Sequence, residues 1–141
     1  MQRVNIQEIQ PEAYTVMFGL EGYLEKSSLP AVLRELVRLR ASQINGCQFC
    51  IGLHTEAARK YGESDARLVA LSNWKASGLF SDKEQAILDV TEAVTQIADH
   101  RLPETLYRKM AEFINEEEIA QLIVLLATIN AWNRIGIATS D

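Results

Sequence analysis

Two cysteines and one of the chain's two histidines fall within the stretch NGCQFCIGLH, Asn45 to His54, and there is no other cysteine. Gly46 is placed to end one helix, which puts Cys47 at the entrance of the next and Cys50 in its first turn. His54 then follows Cys50 by four residues, one turn further along the same face. Unpaired amides and the positive end of a helix dipole favour a thiolate there, lowering a free-cysteine pKa of about 8.5 toward neutrality. Two intervening residues also leave the sulfurs close enough to form a disulfide.

Two other readings compete on these residues. Cys47, Cys50 and His54 supply three zinc ligands, with a carboxylate for a fourth, although only His100 remains to build the second pair that structural zinc sites use. Alternatively, the small cysteines pack a helix crossing and His54 is a satisfied core residue. Glu35 favours redox chemistry. It shares an apolar stripe with Val32 and Leu39 on the preceding helix, where an ionised acid must raise its pKa or find a partner. A carboxyl tuned in that way can pass protons to and from a thiol.

The elements that must position these groups are helical throughout. Pro11 opens a helix to about Lys26, and Pro30 opens another that ends near Asn45 and Gly46. The cysteine helix stops at Tyr61 and Gly62, Ser64 caps a short helix toward Ser72, and Gly78 marks a break. Ser81 with Glu84 forms a capping-box pattern ahead of Ile87, Val90, Val94 and Ile97 on one apolar face. Pro103 opens a helix carrying Leu106, Met110, Phe113 and Ile114. Asn115 caps a last helix that is apolar nearly all round from Leu122 to Ala127, hence central or at a subunit interface. No alternating strand pattern, linker or repeat interrupts this, and the expectation is one all-α domain over residues 1–141.

The 141 residues suffice for a substantial core, and 48% apolar with 23% charged residues is ordinary for a soluble globular chain. A net charge of -5 argues against nucleic acid as a partner. The opening MQRVNIQEIQPEAY has no apolar signal core, and the run LIVLLA is too short to span a bilayer, so a cytoplasmic protein without membrane partners is expected. In a reducing compartment a close cysteine pair is catalytic or metal-binding more often than a structural staple. Arg34, Arg38 and Arg40 alternate with apolar residues and read as a solvated helix flank. Trp74 and Phe80 read as core anchors, and His100 as a solvated loop residue. Asn130, Trp132, Asn133 and Arg134 read as residues that knit helices or subunits together in preference to lining a pocket.

The order Glu35, eleven residues, Cys47-x-x-Cys50, three residues, His54 resembles the AhpD-like alkylhydroperoxidase / carboxymuconolactone decarboxylase superfamily. The core of the resemblance runs from about Leu29 to Gly62, and WKASGLFSDKEQAIL (Trp74–Leu88) and INAWNRIGIA (Ile129–Ala138) are similar to its short, single-core members. The resemblance implies a compact all-α fold of about six to seven helices, assembled as a homotrimer or homohexamer. It implies a cofactor-free thiol peroxidase acting on organic hydroperoxides, with a dithiol donor to reset it. Cys50 would then attack the peroxide, Cys47 would resolve, and Glu35 with His54 would relay protons. Phe49 stands where some peroxidase members carry a histidine. The decarboxylase branch typically lacks the cysteine pair, which disfavours lactone decarboxylation. A binding protein whose pocket keeps the cysteines without turnover is the alternative from another class.

Overall fold

A computed structural model describes residues 3–140, so residues 1, 2 and 141 of the predicted domain lie outside the described residues. The chain order is α1 (Ile6–Ile9), α2 (Pro11–Glu25), α3 (Ala31–Asn45), α4 (Gln48–Lys60), α5 (Asp65–Ala70), a 3-10 turn (Leu71–Asn73), α6 (Trp74–Ser77), α7 (Asp82–Thr95), α8 (Ile97–His100), α9 (Glu104–Ala111) and α10 (Glu116–Thr139). No strand occurs among the described residues, and the fold is all-α. The helices of six residues or more match the predicted set, while α1, α6 and α8 are four-residue additions with no periodicity to betray them.

The ends form where the sequence chemistry places them. Ser81 accepts from the Glu84 amide while Glu84 reaches back to the Ser81 amide, and Asn115 and Glu118 make the same reciprocal pair at the start of α10. Gly46 closes α3 at φ 75°, a left-handed conformation that favours glycine. Two expectations need correction. Ile97 is not on the face of α7: that helix ends at Thr95, and Ile97 opens α8 half-exposed to solvent. Phe113 and Ile114 lie beyond the end of α9, although Ile114 still reaches the core.

α3 lies at the centre, packed against α4, α7 and α10. One core cluster joins Leu33 and Val37 of α3 to Ile87 and Val90 of α7 and to Leu122, Leu125 and Leu126 of α10. A second gathers Leu36 and Leu39 of α3 around Leu71, Trp74, Phe80 and Leu88, which makes Trp74 and Phe80 the anchors expected of them. By length and composition α10 is apolar enough to cross a membrane. Here it is a core helix whose polar residues are bonded to neighbours: Gln121 accepts from Ser28, and Asn133 donates to Ser42 at 3.0 Å.

Candidate active site

The turn before the cysteines is fastened from below. Asn45 at the end of α3 donates to Asn130 Oδ1 and Asn133 Oδ1 of α10, both at 2.9 Å. The Gly46 and Cys47 amides both return to the Ser42 carbonyl. Asn130 and Asn133 thus knit helices together, as expected, and the knot they make sets the direction of the chain entering α4. Cys47 occupies the N-cap of α4 and Cys50 its first turn, and their sulfurs are joined in a disulfide with the Cα atoms 5.3 Å apart. Gly136 of α10 lies against that bond: a Cβ built there would meet Cys47 Sγ at 3.1 Å and Cys50 Sγ at 3.7 Å. Glycine lets α10 approach this closely.

A cavity of about 760 Å³ opens beside the pair, within the range of small-molecule sites. Cys50 lines it, together with His54, Glu35, Arg38, Glu21 and Trp132; Cys47 does not. Cys47 is also the more deeply buried of the two. The helix start is covered by α10, a neighbour that local sequence cannot reveal.

Glu35 is buried, and of the two courses open to it there it takes the second and finds partners. Its Oε2 lies 2.8 Å from His54 Nδ1, and its Oε1 accepts from Arg38 Nη1 at 2.9 Å. Burial alone would raise this carboxyl, but the hydrogen bond from His54 and the charges of His54 and Arg38 outweigh it, so its pKa falls below the ordinary glutamate value. An ionised carboxylate only accepts, so the hydrogen of the 2.8 Å contact sits on His54 Nδ1. His54 Nε2 is left to exchange a proton elsewhere.

The array continues beyond the predicted residues. Arg38 donates from Nη2 to Glu21 Oε2 at 2.8 Å, and Trp132 Nε1 donates to Glu21 Oε1 at 2.9 Å. Glu21, Arg38, Glu35 and His54 therefore form one chain of charge-assisted bonds across α2, α3 and α4. This corrects the reading of the arginines as a solvated flank. Arg34 and Arg38 are buried, and Arg40 is held by Glu92 at 2.9 Å. Arg38 stands three residues after Glu35, a helical pairing that spacing could have flagged; Glu21 is too distant in sequence to be inferred. Trp132 lines the cavity, against the balance expected for its helix, and packs edge-on to Tyr14 at 5.1 Å between ring centroids.

The zinc alternative finds no support in this arrangement. The two sulfurs are bonded to each other, and no group of three or more His, Cys, Asp or Glu among the described residues is arranged to hold a metal ion. His100 ends α8 on the surface.

With fold and site in view, the comparisons with known proteins converge. Residues 11–93 match the carboxymuconolactone decarboxylase family, and the chain belongs to that family, in its AhpD-like superfamily. It is 42% identical over 140 residues to the uncharacterized protein YdfG of Bacillus subtilis, covering 99% of this chain and 95% of that one. A crystal structure of a protein of unknown function from Agrobacterium tumefaciens, described in connection with AhpD antioxidant defence, superposes with a TM-score of 0.95. It is 34% identical, over 99% of this chain and 95% of that one. The debrominase Bmp8 shares the fold at a TM-score of 0.85 and 18% identity, over 94% of this chain and 72% of that one.

Proposed function

We propose that this protein is a cytoplasmic thiol peroxidase that reduces organic hydroperoxides through Cys50 and Cys47. The observation that carries this reading is that Cys50 faces the same cavity as the hydrogen-bonded His54–Glu35 pair, while Cys47 lies behind it, joined to it through sulfur. In the reduced state the Cys50 thiolate attacks the terminal oxygen of R–O–O–H and the O–O bond breaks. The departing alkoxide takes a proton from His54, and Cys50 becomes a sulfenic acid. Cys47 then attacks Cys50 Sγ, forming the disulfide and expelling the oxygen as water. A dithiol donor returns two electrons by exchange and is itself oxidised to a disulfide. Glu35, ionised and fixed by Arg38, keeps His54 oriented through the cycle.

The test separates the two sulfurs. Cys50→Ser should abolish peroxide-dependent oxidation, with no sulfenic acid captured by a dimedone-type probe. Cys47→Ser should still yield a captured sulfenic acid at Cys50 but close no disulfide. Capture at Cys47 in the Cys50→Ser protein, with none at Cys50 in the converse, refutes the assignment.

Assembly as a homotrimer or homohexamer belongs to the same proposal. Val16, Leu20 and Tyr23 of α2 are exposed and apolar, the kind of surface that symmetric closure covers. Light scattering at micromolar concentration should give three or six times the mass of one chain, and a mass of 15.8 kDa would refute it.

A further inference from the structure

Arg34 is unlike the other arginines of α3. It is buried and lines the cavity, yet its one side-chain hydrogen bond among the described residues goes to the Leu29 carbonyl, and its buried Nε has no partner. Arg38 has two carboxylates and Arg40 has one; Arg34 has none among the described residues. Its position aggravates this. It stands in the first turn of α3, where the helix dipole is already positive, and that turn contains no acidic residue and no side-chain cap. A guanidinium removed from water without an anion is costly, and the cavity is the route by which an anion can arrive.

The remaining lining fits the rest of such a molecule. Glu21 and Glu35 are committed to Arg38, while Tyr14, Phe18, Phe49, Leu53 and Ile135 give the cavity apolar walls. Glu25 also lines the cavity and makes no ion pair among the described residues, so it is the rival partner for Arg34. We infer that Arg34 is an anion subsite and that the cavity takes an amphipathic carboxylate, its head on the guanidinium and its apolar body along the aromatic and aliphatic walls. Arginine's planar fork matches a carboxylate, and the volume suits a medium-length chain. The inference deepens the peroxidase reading by naming the class of hydroperoxide, one that carries a carboxylate at a distance from the O–O bond. Binding at Arg34 does not itself depend on turnover.

The decisive experiment titrates the oxidised, disulfide-bonded protein with decanoate and with 1-decanol by calorimetry. Decanoate should bind at least about tenfold more tightly, as expected for a hydrogen-bonded charge pair against a neutral head. Arg34→Gln should bring the ratio toward unity, and Arg34→Lys should keep part of it, since the charge survives and the fork does not. If Arg34→Gln does not fold, Arg34→Lys alone still reads the loss. Equal affinities in the wild type, or an undiminished ratio in both variants, overturn the inference. So does a preference that appears only in Glu25→Gln, because Arg34 would then be Glu25's partner. A second arm measures oxidation of the reduced protein by a fatty-acid hydroperoxide and by its methyl ester. Carboxylate binding without any peroxide turnover would refute the peroxidase and leave the subsite standing. Turnover with no preference for the acid would refute the class of hydroperoxide named here, while the titration alone decides the subsite.

Discussion

Arg38 and Arg67 each stand between two glutamates, yet the two clusters are built for different ends. Arg67 donates to Glu63 and Glu84 and to the Leu79 carbonyl, and it stacks over Phe80 at 4.5 Å. Glu84 is meanwhile occupied by the capping box of α7. Every strong group in that cluster is answered within it, and it ties α5 to α7. Around Arg38 the carboxylates are answered too, but the outer members of the array, His54 and Trp132, line a cavity beside a cysteine. Burial would raise both Glu35 and Glu84, yet their hydrogen-bonded partners hold each below the ordinary glutamate value. A lowered acid therefore does not by itself mark a site. What distinguishes the two clusters is whether the chain of hydrogen bonds ends in protein or at a space that a ligand can enter.

The sharpest way to test that contrast is to remove each arginine. Arg38→Met strands two carboxylates, one of them buried, and should cost about 3 kcal/mol or more in urea unfolding. Arg67→Met also strands a buried carboxylate, Glu63, but water reaches the guanidinium and Glu84, so it should cost less, about 2 kcal/mol. Equal losses would erase the distinction between a buried and a partly solvated arginine.

The next contrast is kinetic. Glu35→Gln should slow oxidation of the reduced protein by cumene hydroperoxide about a hundredfold, the lower range for losing an oriented proton relay. Glu84→Gln should leave that rate as it is. A Glu35→Gln protein that keeps the full rate would put Glu35 on the same structural footing as Glu84.

The smallest difference lies in acid. A carboxyl whose folded pKa is depressed contributes stability that is present above its unfolded value, about 4.3 for glutamate, and is lost as pH falls through the lower folded value. Both clusters should therefore weaken below about pH 4.3. The urea midpoint of Glu35→Gln and of Glu84→Gln should each fall less steeply in that window than that of the wild type. An unchanged slope in either variant would mean that its carboxyl does not carry the acid dependence.

Local signals were legible because they act over three or four residues. The capping pairs Ser81–Glu84 and Asn115–Glu118, the Gly46 terminator and the Cys47–Cys50–His54 register are all of this kind. Glu35 was readable as an acid in need of a partner, and the family resemblance, not the spacing, pointed to His54. What stayed hidden depends on contacts made across the fold. The sequence of α3 does not show that Glu21 and Glu92 come to meet Arg38 and Arg40, so arginines among apolar residues resembled a wet flank. Gly136 looked like one more residue of a long helix until α10 was seen to press it on the disulfide.

One wall of the cavity is held differently from the others. Of the fifteen residues of α2 only Leu24 is buried, whereas α3 buries residues along most of its length. α2 is held to the site by its polar latch from Glu21 to Arg38 and Trp132 and by the rings of Tyr14 and Phe18 on Trp132. Within one chain α2 is thus fastened mainly by polar and aromatic contacts, and the apolar cover it lacks is what the subunit closure proposed above would supply. The site sets its reactive pair against Gly136 of α10 and faces it with a wall fastened by polar and aromatic contacts.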